Sequence, residues 1–497
     1  MFKIYNLKHR ANLIEDENIN LTKLKKWAKI YQHDCKLFNQ GKFESSIELP
    51  NFLKISPLDY QIPIIKFVLK HVRAALFLEV GSGKTYISSI AMINRMIKSN
   101  GSGLILCPKT IKAQWKSELN KFFDLKFPVV IYPEEEIPNE QCIVVTNYER
   151  ILIPESFYKL KNANLKVIII DESTRIKNIR SQTFRRLIKL IKPIKYRYIL
   201  SGTPIMNRPN DLFTQLSIIN PWAFPYNYHT FMQNYFYSIK TSRYTIYKIR
   251  PWAKEDLNKK VLSNSIVMKG KEMSLEAKLI QNYIFEKPSK QQYILATDIR
   301  RLVFEDEDAQ LQVIKNRLIK EMEISSGWIK LDDKIKHFGS SKIKKVIEKV
   351  KEVLKNNEKI IVWVWFRETA LILAHHFPDD CVVLLGNASN RDEIINKFKN
   401  EKNLLIAQIE TAKYGLNLQD TCNRMIFCEL AWSPSSIKQC IARLHRYGQK
   451  KPVYVDYYIT KNLIDEFMLK TVKEKKKINM RILSKFINKI RTIESTK

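Results

Sequence analysis

The sequence predicts an α/β protein with two parallel-sheet domains and a helical insertion between them. Three observations lead there. Short apolar, β-rich runs alternate with helix-length segments, and this happens twice along the 497 residues. Between the two sets, over about 222–345, the alternation gives way to a stretch rich in Lys, Glu, Gln and aromatics. The chain has only 12 glycines, and five of them (Gly81, Gly83, Gly202, Gly415 and Gly448) fall inside the short motifs described below. Glycine placed so sparingly marks backbone that must turn sharply or approach a ligand.

The elements follow in order. Residues 1–50 read as a basic, helical N-terminal segment without a recognisable motif. The first domain, 51–221, contains the runs AALFLEV (74–80), GLILCP (103–108), CIVVTNY (142–148), VIIID (167–171) and YRYILSG (196–202). The insertion, 222–345, includes KQQYILATDIRRLVFEDEDAQLQVIKNRLIKEM, which reads as long amphipathic helix. The second domain, 346–497, contains KIIVWVWF (359–366), CVVLLG (381–386), LLIAQ (404–408), RMIFCE (424–429) and VYVDYYI (453–459), and ends in a basic amphipathic helix. Strands separated by helix-length connections form parallel sheets, because parallel neighbours need a crossover.

Composition narrows the function. Lys and Arg total 85 against 50 acids, a net charge of +35. That excess predicts attraction to a polyanion, with nucleic acid ahead of an anionic membrane surface. No apolar run approaches the ~20 residues that span a bilayer, and the N-terminus shows no secretory apolar core. The seven cysteines form no CxxC pair and no Cys/His metal spacing, and are expected as reduced thiols in the cytosol.

Two motifs carry the chemistry. LEVGSGKT (78–85) follows an apolar run and precedes a helical pattern. In that context Leu78, Glu79, Val80, Gly81, Ser82, Gly83, Lys84 and Thr85 form a phosphate loop. Its backbone N–H groups cradle phosphates, Lys84 reaches the terminal phosphates and Thr85 offers a hydroxyl to Mg²⁺. The full pattern wants glycine at 78, where this chain has Leu78, so the looser GxGKT form remains. Farther on, VIIIDESTRIKN (167–178) ends an apolar strand on Asp171 and Glu172. Adjacent acids repel. Either the strand stops at a solvated turn, or Asp171 binds Mg²⁺ and Glu172 activates a water. The phosphate loop upstream favours the second reading.

The motif series resembles the SWI/SNF-type ATPases of helicase superfamily two, over about residues 50–480. PLDYQ (57–61) is similar to the family's Q motif, with Gln61 as the adenine reader. LILCPKTIKAQWKSEL (104–119), VVTNYE (144–149), DESTRIKN and YILSGTPIMNRPNDLF (198–213) resemble successive motifs of the first half, with Thr174 where the family usually has His. IIVWVWFRETALIL (360–373), RDEIINKF (391–398), TAKYGLNLQ (411–419) and QCIARLHRYGQKKPV (439–453) resemble those of the second. The resemblance implies two RecA-like domains, ATP and Mg²⁺ as cofactors, and DNA, duplex or branched, as partner. It implies arginine-finger roles for Arg443 and Arg446, which read alone are better taken as part of a solvated basic helix. By analogy Lys109, Thr110, Asn147, Tyr148, Arg367, Thr411 and Asn417 would contact DNA.

FCELAWSPSSIKQCIARLHRYGQ, EISSGWI and FGSSKIKKV look closest to the compact annealing, fork-remodelling and phage-encoded members. The expected activity is therefore a DNA-stimulated ATPase that moves on or remodels DNA in replication, recombination or repair. The expected setting is the cytoplasm of a bacterial or phage-infected cell. A motor acting on transcription complexes shares the same motifs. A non-hydrolysing DNA-binding protein would have lost Lys84, Glu172 or Arg446, and none is lost.

Overall fold

The computed structural model describes residues 21–79, 81–202, 210–224, 227–240, 245–268, 276–304, 311–331, 334–386, 388, 390–412 and 416–473. The expected basic C-terminal helix (463–490) is described over Ile464–Lys473; its remainder, the first 20 residues and 203–209 of the motif that ends the first half lie outside them. The chain divides into two compact units, residues 1–274 and 275–497.

In the first unit seven strands are introduced in chain order: β1 (Arg73–Leu78), β2 (Ser102–Cys107), β3 (Val129–Ile131), β4 (Ile143–Asn147), β5 (Leu165–Ile170), β6 (Tyr196–Leu200) and, after a hairpin of β7 (Phe236–Lys240) and β8 (Thr245–Ile249), β9 (Ile266–Met268). The sheet order is β3-β4-β2-β5-β6-β1-β9, with every pairing parallel. Covered on both faces, such a sheet demands continuous apolar strands rather than alternating ones. Accordingly β1 and β2 are buried at every position. Because all strands run the same way, the segments after β1 and β5 leave from one edge. Only β6 separates these two strands, which puts their ends about 10 Å apart.

The second unit builds on β10 (Leu279–Glu286), β13 (Ile360–Val364), β14 (Cys381–Leu384), β15 (Leu404–Gln408), β16 (Arg424–Phe427) and β17 (Val453–Thr460), in the order β10-β17-β16-β13-β15-β14, again all parallel. Between β10 and β13 lies an antiparallel pair, β11 (Trp328–Leu331) and β12 (Lys334–His337). All ten strand-like runs of the sequence are strands.

The segment 222–345 is not helical throughout. It contributes β9 to the first sheet and β10 to the second, besides the two hairpins. β9 is three residues long, and β10 is an edge strand with an irregular burial pattern, so neither has the apolar run that marks a central strand. The long amphipathic stretch is described as two helices, Lys290–Phe304 and Leu311–Ser325, on either side of 305–310.

The N-terminal segment also acquires a structural role. Its helix Leu21–Asn39 is fixed to the β1–β9 side of the first sheet. The buried Tyr31 hydroxyl donates to the Asn264 carbonyl at 2.9 Å and accepts from the Ala75 amide at 3.0 Å. Asn39 Oδ1 accepts from the Val267 amide at 2.9 Å, within edge strand β9.

A buried ion pair holds the second unit. Lys342 Nζ lies 2.8 Å from Asp465 Oδ2 and 2.7 Å from Ser325 Oγ. The Thr460 amide donates to the same Asp465 oxygen at 3.0 Å. Burial pushes the Lys342 ammonium down, but Asp465 together with Cys428 and Glu429 offsets it and leaves the pKa raised. Removing one partner strands the other charge out of water, at a cost of roughly 3–5 kcal/mol. Lys342→Met should therefore lower the unfolding free energy of the second unit by about that much, and adding Asp465→Asn should recover part of it. Urea unfolding of the three proteins checks this, and a single variant within 1 kcal/mol of the parent (an order-of-magnitude threshold) would contradict it.

Candidate ATP site and nucleic-acid contacts

The phosphate loop springs from buried β1 and ends at the helix Lys84–Ser99. Gly81 and Gly83 have φ of 88° and 77°, the left-handed region that suits glycine. Gly83 has a second reason to lack a side chain. A Cβ there would lie 2.4 Å from Gln61 Nε2. Gln61 is buried; its Nε2 donates to the Ser82 carbonyl at 3.2 Å and its Oε1 accepts from the Leu58 amide at 3.1 Å. Gln61, expected from the resemblance to read adenine, here links the loop at Ser82 to Leu58, just before its own helix. Lys84 Nζ donates to the carbonyls of Leu78 and Glu79, each at 3.0 Å. Ser82 is buried, and its Oγ has no hydrogen-bond partner among the described residues. Thr85 is half-buried in the first helical turn, and Val80 lies outside the described residues.

The acid pair leaves the same sheet edge. The Asp171 amide continues the β5–β2 ladder by donating to the Leu106 carbonyl at 2.9 Å. Glu172 then takes φ 51°, which turns the chain sharply into the short helix Ser173–Ile176. Three groups hold Asp171. Trp115 Nε1 donates to Oδ2 at 3.1 Å, the Glu172 amide donates to Oδ1 at 2.8 Å, and the Tyr148 hydroxyl donates to the backbone carbonyl. The carboxyl keeps some accessible surface, yet the protein around it desolvates it. Burial first and the Glu172 charge second push its pKa up to about 7, while Lys84 opposes both. A desolvated carboxyl at the same sheet edge as the phosphate loop, with Thr85 in the first turn of the helix after that loop, is a hard-oxygen donor set that fits Mg²⁺. Farther along, Ser173 Oγ donates to Gln215 Oε1 at 2.7 Å, and Thr174 is buried beside it.

The expected DNA contacts divide by exposure. Lys109 and Thr110 are exposed after β2, and Arg367 is exposed at the start of the helix Arg367–His375. Asn147 and Tyr148 require correction. Both are buried, Asn147 donates to Glu149, and Tyr148 supports Asp171, so neither faces a passing strand. The side chain of Thr411 lies outside the described residues.

In the second unit the helix Pro434–Ile441 ends before both arginines, which therefore sit on turns and not on a solvated helix. Arg443 is buried, donating through Nε to the Gln439 carbonyl and through Nη1 to the Leu416 carbonyl, both at 3.1 Å. It braces its own unit. Arg446 is only partly buried and donates to Asn417 Oδ1. Buried Gln449 ties the same turn down by donating to the carbonyls of Gln419 and Cys422 at 2.7 and 3.0 Å. Sequence reasoning gave no role to Trp115 or Gln215. Trp115 stood in plain view within QWKSEL, but only the fold brings it to Asp171, 56 residues away.

Residues 60–323 match the model of the SNF2-related domain, and residues 342–448 match the helicase conserved C-terminal domain. The chain belongs to the SNF2-related, SWI/SNF-type family of helicases. It is 25% identical over 461 residues to the ATP-dependent helicase YqhH of Bacillus subtilis, covering 86% of this chain and 79% of that protein. It is 25% identical over 487 residues to the DNA annealing helicase and endonuclease ZRANB3 of Homo sapiens, covering 90% of this chain but 42% of the relative. The Xenopus laevis SWI/SNF-related matrix-associated actin-dependent regulator of chromatin subfamily A-like protein 1 is 25% identical over 80% of this chain and 41% of its own length. Among solved structures, the Sulfolobus solfataricus SWI2/SNF2 ATPase core in complex with dsDNA is 23% identical, with a TM-score of 0.42 over 87% of this chain and 93% of that one. No described helix is long and apolar enough to cross a membrane.

The raised Asp171 pKa makes a stability prediction. A folded-state value of about 7 against an ordinary 3.8 means that the folded chain holds this proton more tightly than the unfolded chain. The stability from that proton is complete below the ordinary value and is lost as pH rises through 7. Asp171→Asn has no such titration. Without metal or nucleotide, its melting temperature relative to the parent should therefore climb between pH 4 and pH 8 (approximate limits set by the two pKa values). A constant difference across that range would mean that Asp171 titrates normally.

Proposed function

We propose that this protein is a DNA-stimulated ATPase that translocates on or remodels duplex or branched DNA in replication, recombination or repair. The observation that carries the reading is one sheet edge presenting both the glycine-turned phosphate loop and the desolvated acid after β5. Family membership and the +35 charge support DNA as the partner.

In this reading Lys84 leaves the carbonyls of Leu78 and Glu79 for the terminal phosphates of ATP, while the loop amides from Gly81 to Lys84 surround the others. Asp171 and Thr85 would hold Mg²⁺, which supplies charge neutralisation at the phosphates when bound. Trp115 and Tyr148 keep Asp171 pointing at it. Glu172, turned out of the strand direction by its positive φ, accepts the proton of the attacking water. Arg446, the more accessible of the two arginines, is assigned to charge developing in the transition state, and Arg443 to bracing the turn that bears it. Lys109, Thr110 and Arg367 are the exposed candidates for phosphate contact, with Asn417 positioning Arg446.

Two variants test the assignment of roles. Glu172→Gln keeps the shape and removes the base, so ATP binding should persist while turnover falls at least ~10²-fold. Arg446→Ala should likewise bind ATP nearly as the parent does and lose ~10³-fold or more in hydrolysis at saturating duplex DNA. Nucleotide titration alongside steady-state turnover measures both. Near-parental turnover in Glu172→Gln would remove the general base from this reading.

A further inference from the structure

The edge of the first sheet where the strands begin carries a basic face that no motif claims. The helix Gln182–Ile191 joins the end of β5 to the start of β6, so its last turn lies at that edge, opposite the phosphate loop. Phe184, Leu187, Leu190 and Ile191 bury one side of it. Arg185 and Lys189 stand exposed on the other side, and exposed Lys195 follows before β6. The helix Leu21–Asn39 packs alongside, with Ile188 and Trp222 against its buried Leu24. Its outer face presents Lys25, Lys26 and Lys29, all exposed. Spacing keeps each set together: Arg185 with Lys189, and Lys25 with Lys29, are i,i+4 pairs, and Lys26 with Lys29 is an i,i+3 pair.

The charge of this face is not cancelled nearby. Among the described residues no ion pair engages Lys25, Lys26, Lys29, Arg185 or Lys189. The sequence has no acid from 173 to 210. Asp34, the acid of the helix Leu21–Asn39, is buried against Lys70 and His71 at 2.7 and 3.0 Å. On the neighbouring elements Glu149, Glu155 and Glu255 face Arg175, Lys159 and Lys259, and Asp256 accepts from the Tyr235 hydroxyl. Glu44 and Glu48 follow the far end of the helix, in a segment where Lys66 donates to the Ser45 carbonyl and Lys70 lies over Phe43. Residues 1–20 hold Lys3, Lys8 and Arg10 against Glu15, Asp16 and Glu17, so their side chains add no net charge. The negative dipole end of the helix Gln182–Ile191 is offset as well, because buried Arg197 donates to the Ile191 and Lys192 carbonyls at 2.9 and 3.3 Å.

We propose that this face binds the phosphate backbone of a second duplex DNA segment, so that the protein holds two duplexes, or two arms of one branched molecule, at opposite edges of its first unit. Cations on two packed helices, with no matching acids, suit a polyanion. The rings nearest to them are turned inward. Trp222 packs on Leu24, and Trp27 stacks on Tyr31 at 5.0 Å, so neither offers a platform to unpaired bases. That leaves backbone contact, and a duplex presents the denser row of phosphates, one charge per ~1.7 Å of axis. A membrane surface suits the face less well, because a helix lying on lipid turns its apolar side outward and here that side is buried. The six residues of β1 put the two edges about 20 Å apart. A duplex is stiff over that length, so the segment held here is not the one at Lys109 and Thr110. The inference rests on DNA being the partner and adds a second contact to it.

The test uses the full chain, a biotinylated blunt duplex on beads and a second, fluorescent duplex in solution. The parent should carry the second duplex onto the beads at low salt. Lys25→Gln/Lys26→Gln/Lys29→Gln/Arg185→Gln/Lys189→Gln should lose this capture on the order of tenfold or more. Its duplex binding should also depend less steeply on salt, by about one unit of slope for each contact removed. ATP turnover at saturating duplex should stay within about twofold, because these residues lie away from the ATP edge. The charge-keeping variant Lys25→Arg/Lys26→Arg/Lys29→Arg/Arg185→Lys/Lys189→Arg should capture like the parent. Arg185→Gln/Lys189→Gln alone should show an intermediate loss, which keeps the test decisive if the larger set disturbs the fold. Undiminished capture by both Gln variants, or loss in the charge-keeping one, would overturn the face. Binding to phosphatidylserine vesicles that is tighter than to duplex, and lost in the same Gln variants, would overturn its assignment to DNA. If the parent shows no DNA-stimulated turnover at all, the functional reading fails. If stimulation is intact and the parent captures no second duplex, this inference alone fails.

Discussion

Placing a carboxylate at the end of a strand buried on both faces is the constraint around which the first unit is organised. Burial and the neighbouring Glu172 charge push the Asp171 pKa up to about 7 even with its donors in place. The protein answers with donors and not with a buried countercharge. An indole N–H from the helix after β2, an amide from its own neighbour and a hydroxyl from the end of β4 all converge on this residue. Lys84 is a cation that reaches this carboxyl electrostatically, and in the proposed function a divalent cation and a polyphosphate add to it. The sheet order then brings the phosphate loop to the same edge, with one strand between.

The second unit meets a comparable problem with a different solution. Its buried acids are matched in place. Asp465 is paired with Lys342, and Glu429 accepts from the amides of Trp365 and Phe366 at 2.6 and 2.9 Å and from Thr369 Oγ1 at 2.6 Å. These contacts consume the carboxylates and fix the start of the helix that carries Arg367. Arg443 and Gln449 likewise spend their donors on carbonyls of the segment around residues 416–422. Arg446 on that turn keeps part of its surface accessible, next to the exposed Tyr447.

Much of this was legible in the sequence because the physics is local. A parallel strand covered on both faces must be an unbroken apolar run, so the ten core strands announce themselves. A glycine loop between strand and helix is equally local, and so is an acid pair ending such a strand. What could not be read depends on distant partners. Strand β9 is too short to show a pattern, and its amide at Val267 is matched by Asn39 in a helix more than 200 residues earlier. Tyr148 looked like a strand-end residue free to touch DNA. Only the packing of β4 beside β2 shows its hydroxyl turned onto Asp171. Gln61 was assigned from resemblance to a base, and the loop geometry engages it with Ser82. The Phe231 cluster at the base of the β7–β8 hairpin joins residues of two helices and a strand, and no periodicity in the sequence marks it.

In the proposed function this acid-and-loop edge works when DNA is present and idles when it is not. Steady-state ATP hydrolysis compared side by side without nucleic acid, with single strands, with duplex, with forked DNA and with RNA measures that directly. The account predicts a low basal rate raised strongly by DNA and little by RNA. A rate that is the same in all five conditions would contradict it, leaving an ATPase whose positive charge serves some other end.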